Sequence, residues 1–339
     1  MISLILVAHH SSDRLPGAIE SFRAEARGLN LSSEVLVVEQ SEDPEEAVQV
    51  AALAPDRLLV RPNRGYAAGL NAGIAAAAGE VLLLGNPDVV FSPGTLAALL
   101  AALEAGWDVV GPQFSLAGWL FPPADEQTPG EELRRFAASR GIASWDRFLR
   151  REVKRWRRVW ESPAPVAVEA LSGALLAVRA DTAARVGSWD EGYFLYFEEN
   201  DWLRRARRLG MRLAVVPAAR VEHAWGHAAE PGRTAEHFGR SRRRYFAGHF
   251  GWRGRAVARL SLGSSPLDPR PFPPAAAPPP ALWLLSPAPL GFPAAGRWSS
   301  VPPVAEVAAF TAACSHCAAL TLIAYDPHAG RQLGTWKTP

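Results

Sequence analysis

The sequence predicts an α/β fold: a mostly parallel sheet covered by helices on both faces, with a small α+β appendage behind it. Three observations carry this. Short unbroken apolar runs recur through the first half, at 2–8 (ISLILVA), 34–38 (EVLVV) and 81–84 (VLLL). Each is followed by a segment of helical spacing, and strands buried on both faces read as such runs. A proline-rich stretch at 267–280 (LDPRPFPPAAAPPP) then breaks regular structure and reads as a semi-rigid spacer.

The elements follow in order. Residues 2–8 form the first strand. A helix runs through Leu15, Ile19 and Phe22, with Ser11, Ser12 or Asp13 available as its cap. Strands at 34–38 and 57–60 (RLLV) precede a Gly- and Ala-rich helix over 67–78. The strand at 81–84 ends in Asn86-Pro87-Asp88; a helix covers 95–103, and 109–110 opens another strand. Residues 116–165 interrupt the alternation with Arg and Trp. Trp145, Leu149, Val153, Trp156 and Trp160 fall at helical spacing on an otherwise basic helix. That helix packs its Trp stripe on the main domain, or else residues 145–160 make peripheral contact with a membrane surface or an anionic lipid-linked acceptor.

Strand character resumes over 167–178, around Ser172-Gly173-Ala174. A helix at 181–186 leads into an aromatic and acidic run at 189–202, and the helix at 203–209 stops at Gly210. A strand at 212–216 and a basic helix at 237–250 complete a main domain, 1–262. A linker at 263–280 leads to the appendage, 281–339. There a strand at 281–285, a helix at 304–313 and a hairpin of 320–325 with 331–337 are expected. The appendage carries no readable catalytic constellation.

With 48% hydrophobic and 21% charged residues in 339, the chain is expected to fold. A formal net charge of +2 gives no case for a nucleic-acid partner. No run approaches the roughly 18 apolar residues of a membrane span. Residues 2–8 are too short, and lack the basic start, for a secretory leader. Cys314 and Cys317 (CSHC) read as free thiols at a helix end, which fits a reducing compartment. The expected location is cytoplasmic, with peripheral contact at the inner membrane face as the variant. Oligomeric state is not legible.

Chemistry is carried by residues near strand ends, where open parallel sheets bind ligands. Asp88 is aimed by Pro87, which fixes its own φ and restricts Asn86. A carboxylate there suits Mg²⁺ or Mn²⁺, ions held by one or two carboxylates plus substrate phosphates. Glu198, Glu199 and Asp201 begin a helix behind Tyr193, Phe194, Tyr196 and Phe197. Capping explains one or two acids there. An acidic cluster against aromatics also suits a carboxylate of raised pKa acting as general base. His223 follows a strand and is available as a further metal ligand. The run 63–73 (NRGYAAGLNAG) sets Asn63, Gly65, Gly69 and Asn71 at a loop-to-helix junction, where backbone N–H groups attract a diphosphate. Its spacing fits neither a Walker loop nor a dinucleotide fingerprint.

Together, residues 7–10 (VAHH), 63–73, Asn86-Pro87-Asp88, 172–174 (SGA), 187–201 (GSWDEGYFLYFEEND) and His223 resemble glycosyltransferase family 2, in its rhamnosyltransferase-like branch. The resemblance covers residues 1–250. It implies a GT-A fold, a nucleotide-sugar donor (UDP- or dTDP-linked), a glycan or lipid-linked acceptor in cell-surface polysaccharide synthesis, and inversion at the anomeric carbon. It implies Mg²⁺ or Mn²⁺ at Asp88, with Asn86 and His223 beside it, and Glu199 as catalytic base. Glu39 matches the residue that accepts the base N3–H; Asn63, Gly65, Gly69, Asn71, Gly173, Glu198 and Asp201 are expected to line the substrates. Three departures stand out: Glu39 and Glu199 replace the commoner Asp, and Asn86 removes one carboxylate. Those substitutions leave a degenerate nucleotide-sugar-binding or scaffold protein as the alternative. A sugar-1-phosphate nucleotidyltransferase is disfavoured, because residues 9–15 (HHSSDRL) lack the Gly-rich basic loop it needs.

Overall fold

The computed structural model describes residues 1–224, 231–260, 266–273, 281–288, 290–314 and 319–338. The chain opens β1 (Ile2–Ala8), α1 (Leu15–Gly28), β2 (Ser33–Glu39), α2 (Pro44–Ala52), β3 (Arg57–Val60), α3 (Tyr66–Ala76) and β4 (Val81–Gly85). The four strands pair in parallel in the order β3-β2-β1-β4. β1 is buried along its whole length, as its unbroken apolar run requires. Gly69 and Gly73 let α3 lie on this layer: a Cβ on Gly73 would stand 2.3 Å from Ile5 Cγ2, and one on Gly69 2.5 Å from Val7 Cγ1. The expected side-chain cap of α1 is absent. The cap position is Arg14, and the Ser11 and Ser12 N–H groups are held instead by the Glu46 carboxylate, at 2.6 and 2.7 Å.

Next come β5 (Val89–Phe91), α4 (Thr95–Glu104), β6 (Val109–Leu116), β7 (Trp119–Leu120), α5 (Pro129–Ala138), α6 (Ile142–Trp160), β8 (Val166–Ala167) and β9 (Leu175–Arg179). They are followed by α7 (Ala180–Val186), α8 (Glu198–Arg208), β10 (Leu213–His223) and α9 (Pro231–Val257), the last kinked at Gly251. The sheet is more mixed than expected. β9 inserts antiparallel between β4 and β6. Its first residue, Leu175, lies opposite Gly85, the last of β4, so residues 172–174 arrive at the carboxyl ends of the parallel strands. β10 runs past the expected 216, through a register shift between Val216 and Arg220, to His223, which pairs with Val89.

The remaining elements are β11 (Arg270–Pro271), β12 (Ala281–Ser286), β13 (Ala295–Ser299), α10 (Val304–Ala313), β14 (Thr321–Asp326) and β15 (Arg331–Lys337). They do not stand apart as an appendage. β7 pairs with β6 on one side and, at Leu120, with Gly296 of β13 on the other, so β12–β15 continue the same sheet. Part of the expected linker also joins it, β11 pairing with β15; residues 263–265 and 274–280 lie outside the described residues.

α6 seals this joint. Trp145, Phe148, Trp156 and Trp160 pack with Leu282, Leu284, Phe292 and Ile323 in one cluster. A Cβ on Gly296 would meet the Trp160 ring at 2.4 Å. Trp145, Leu149, Val153 and Trp156 are at most 2% exposed. This stripe is therefore core, the first of the two readings of 145–160, and its Trp side chains face 281–338 rather than outward. No helix among the described residues is long and apolar enough to cross a membrane. Cys314 is buried and disulfide-bonded, not the free thiol expected; Cys317 lies outside the described residues.

Candidate active site

Asn86 and Asp88 follow β4, and the Asn86 N–H donates to the Ala174 carbonyl at 2.9 Å, tying the two loops together. β5 then runs antiparallel to the end of β10. This pairing carries His223 across 137 positions of sequence to Asn86. His223 Nε2 stands 3.4 Å from Asp88 Oδ1 and 3.3 Å from the Asn86 amide nitrogen. Neutral imidazole is a ligand for divalent ions, and His223 Nε2 faces both side chains. Among the described residues no group of three His, Cys, Asp or Glu side chains gathers as a metal site; here Asp88 and His223 have the Asn86 amide as their third neighbour. Carboxylate, amide oxygen and imidazole fit a divalent ion of the Mn²⁺ kind.

The acidic pair is aimed by unusual backbone. Tyr196 and Phe197 have φ of 67° and 69°, the left-handed region that bulky L-residues seldom enter. Such strain persists only where surrounding structure holds it. Here Tyr66 N–H donates to Phe194 O at 2.9 Å, Ser241 Oγ donates to Leu195 O at 2.8 Å, and Phe197 packs on Tyr245 and Phe246. The turn delivers Glu198 and Glu199 to the first turn of α8. One oxygen of Glu199 accepts from the Asn200 amide at 2.8 Å; its second, and one oxygen of Glu198, are buried without a partner. Burial raises the pKa of both, and for Glu198 the neighbouring Glu199 charge adds to it.

Asp88 and this pair share one cleft. The Tyr66 hydroxyl donates to the Gly173 carbonyl at 3.3 Å. Its pKa is pushed well up, by burial first and then by the charges of Glu198, Glu199 and Asp88. Glu199 and His223 line one cavity, and His223 Nε2 stands 3.4 Å from Asp88 Oδ1, so Asp88 and the acidic pair open on the same cleft. Sequence reading passed over Tyr66, and its one signal was its place inside the 63–73 motif. Gly173 makes room at the same point, since a Cβ there would stand 3.1 Å from Glu199 Cβ.

Other expected residues divide. Glu39, 1% exposed, ends β2; one oxygen accepts the Ser41 N–H and the other is buried without a partner. Asn63 Oδ1 caps the turn by accepting the Gly65 N–H at 3.1 Å. Gly65 has φ 96°, and a Cβ on it would stand 2.4 Å from Phe194 O. Gly69 packs a helix on the sheet, as above. Asn71 and Asp201 are corrections. The Asn71 amide is engaged at both ends, accepting from Trp189 N at 2.9 Å and donating to Trp189 O and Glu191. Asp201 binds Arg205 at 2.9 Å and His249 at 2.8 Å. Burial would raise its pKa, but those hydrogen bonds outweigh burial and hold it low. Both residues fasten loops and helices, so neither is left to face a substrate.

Glu199 and His223 also line a cavity of about 810 Å³. It extends from the carboxylates between α6, α9 and the residues that join β12 to β13, reaching Trp156, Phe238 and Phe292. Sequence reading gave no hint of it, because its walls come from segments distant in the chain.

Part of the chain is similar to known proteins. Residues 3–140 match the model of the family described as "Glycosyl transferase family 2". Two curated relatives, from Mycobacterium tuberculosis strains CDC 1551 / Oshkosh and ATCC 25618 / H37Rv, are named N-acetylglucosaminyl-diphospho-decaprenol L-rhamnosyltransferase. Each is 33% identical over 181 residues, 49% of this chain and 57% of the relative. The chain thus spans a little over half the length of the curated relatives it matches. Among solved structures, GalNAc-T7 with UDP, GalNAc and Mn²⁺ gives a TM-score of 0.48 at 16% identity, covering 66% of this chain and 43% of that one. The mannosyltransferase PcManGT from Pyrobaculum calidifontis, with GDP-Man and Mn²⁺, gives 0.48 at 15% identity, covering 76% and 72%. The mixed α/β sheet with flanking helices belongs to the GT-A class expected of the family.

Proposed function

We propose that this chain, whose residues 3–140 match the model of glycosyltransferase family 2, is an inverting glycosyltransferase using a UDP- or dTDP-sugar. The carrying observation is that Glu199 and His223 line one cavity, with His223 Nε2 3.4 Å from Asp88 Oδ1. Carboxylates at a strand end and a helix start are thereby joined in one cleft. The free Glu39 oxygen suits the N3–H that uracil and thymine both present.

Asp88, Asn86 and His223 would hold a divalent cation, which would supply compensation for negative charge on the departing diphosphate. Glu199 removes the proton of the acceptor hydroxyl, and burial, by raising its pKa, strengthens it as a base. The acceptor oxygen then bonds to the anomeric carbon as the bond to the diphosphate breaks on the opposite face. The configuration inverts, and the proton rests on Glu199. Tyr66 and Gly173 position that carboxylate. The relatives' name, that of a rhamnosyltransferase acting on N-acetylglucosaminyl-diphospho-decaprenol, supports a lipid-linked acceptor.

The test is a panel of UDP- and dTDP-sugars with Mn²⁺, read as nucleoside diphosphate released. Turnover with at least one donor supports a transferase. Binding of donors without turnover, with any acceptor tried, favours the degenerate scaffold instead.

A further inference from the structure

The cavity beside Glu199 has a chemistry of its own. Its walls are largely aromatic and aliphatic, from Phe121, Phe148, Trp156, Phe238, Leu260 and Phe292. Its volume suits an organic ligand of moderate size. Three arginines line it, and each is already paired with a carboxylate that lines it too. Arg135 meets Asp125 and, at 2.9 Å, Glu132; Arg155 meets Asp125 and, at 2.8 Å, Glu152; Arg242 meets Glu132. A phosphate entering here would have to break ion pairs that are partly removed from water, which is costly. An uncharged apolar body displaces only water.

We propose that this cavity is the acceptor site, and that it takes an alcohol carried on an uncharged hydrophobic body, the hydroxyl at Glu199 and the apolar part against Trp156 and Phe292. The proposal rests on the transferase reading and narrows its acceptor class. It also gives residues 281–338 a task, since Phe292 and Pro293 form part of the wall.

Binding to the full chain tests it without turnover. Methyl, hexyl and phenyl β-D-glucosides and hexyl phosphate are titrated calorimetrically. Each methylene buried is worth about fourfold in affinity, so hexyl or phenyl glucoside is expected to bind at least about tenfold tighter than methyl glucoside. The tighter of the two tells a chain-like from an aromatic body. Gly239→Leu and Ala288→Trp fill the cavity from opposite walls. A Cβ on Gly239 meets only the end of Arg243, at 3.5 Å, so that variant keeps its helix. Both are expected to lose the preference while retaining a wild-type circular dichroism spectrum. Equal affinity for methyl and hexyl glucosides, tighter binding of hexyl phosphate than hexyl glucoside, or a preference that survives both fillings overturns the proposal. Failure of UDP and dTDP to bind with Mn²⁺ would instead sink the transferase reading and leave the cavity result standing.

Discussion

Gly173 and Glu199 are in contact across the cleft: a methyl group on Gly173 would stand 3.1 Å from Glu199 Cβ and 3.3 Å from Cγ. The loop before β9 thus fixes where the carboxylate sits. The Glu199 side chain would have to give by a few tenths of an ångström, where a misplacement of about 1 Å costs about 10²-fold in rate. Gly173→Ala is expected to lower kcat by roughly three- to tenfold with donor affinity unchanged. Steady-state kinetics checks this, and turnover within twofold of wild type would mean that Glu199 has slack.

Asp88, Asn86 and His223 meet within 3.4 Å of one imidazole nitrogen. Chelation of divalent ions is expected to abolish transfer, and Mn²⁺ to restore it. Asp88→Ala is expected to abolish both transfer and the metal-dependent part of UDP or dTDP binding. Calorimetry with and without Mn²⁺ separates the two effects; metal-independent turnover would contradict the assignment.

Glu198 and Glu199 oppose stability when ionised. Burial raises both folded-state pKa values. Their contribution favours the fold below the unfolded carboxyl value of about 4.3 and is lost as pH rises through the raised values. Glu198→Gln is therefore expected to raise the melting temperature at pH 7 and flatten its fall with pH. The same shift moves the acid limb of the pH–rate profile above the ordinary carboxylate range, and the limb belongs to the pair rather than to one residue. Melting curves across pH check the first expectation and initial rates the second.

Trp145 is fully buried and donates to Leu290 O at 2.7 Å. Trp145→Ala is expected to cost about 3–5 kcal/mol, the range for emptying a large aromatic site. Urea unfolding measures it. A cost under about 1 kcal/mol would mean that α6 does not join the halves of the sheet.

The parallel strands were legible because unbroken apolar runs have one structural meaning. Asp88 and His223 stood out as candidates because each lies at a strand end, where such sheets bind ligands, and the structure sets them 3.4 Å apart. Asn71 and Asp201 misled, since polar residues beside a motif also serve as fasteners and sequence shows no partners. Tyr66 was hidden, because its place among three carboxylates comes from long-range packing. The union of 281–338 with the main sheet passes through Leu120 and Gly296, a pairing too short to leave a pattern.

The central claim is that the Glu199 carboxylate removes the acceptor proton. Glu199→Gln keeps shape and hydrogen bonding but removes the base, a role worth about 10²–10⁴-fold in rate. Single-turnover transfer by this variant, with donor affinity measured alongside, tests the claim most directly. The account predicts donor affinity within about threefold of wild type and transfer slowed at least a hundredfold. Transfer within tenfold of wild type at unchanged donor affinity would contradict it.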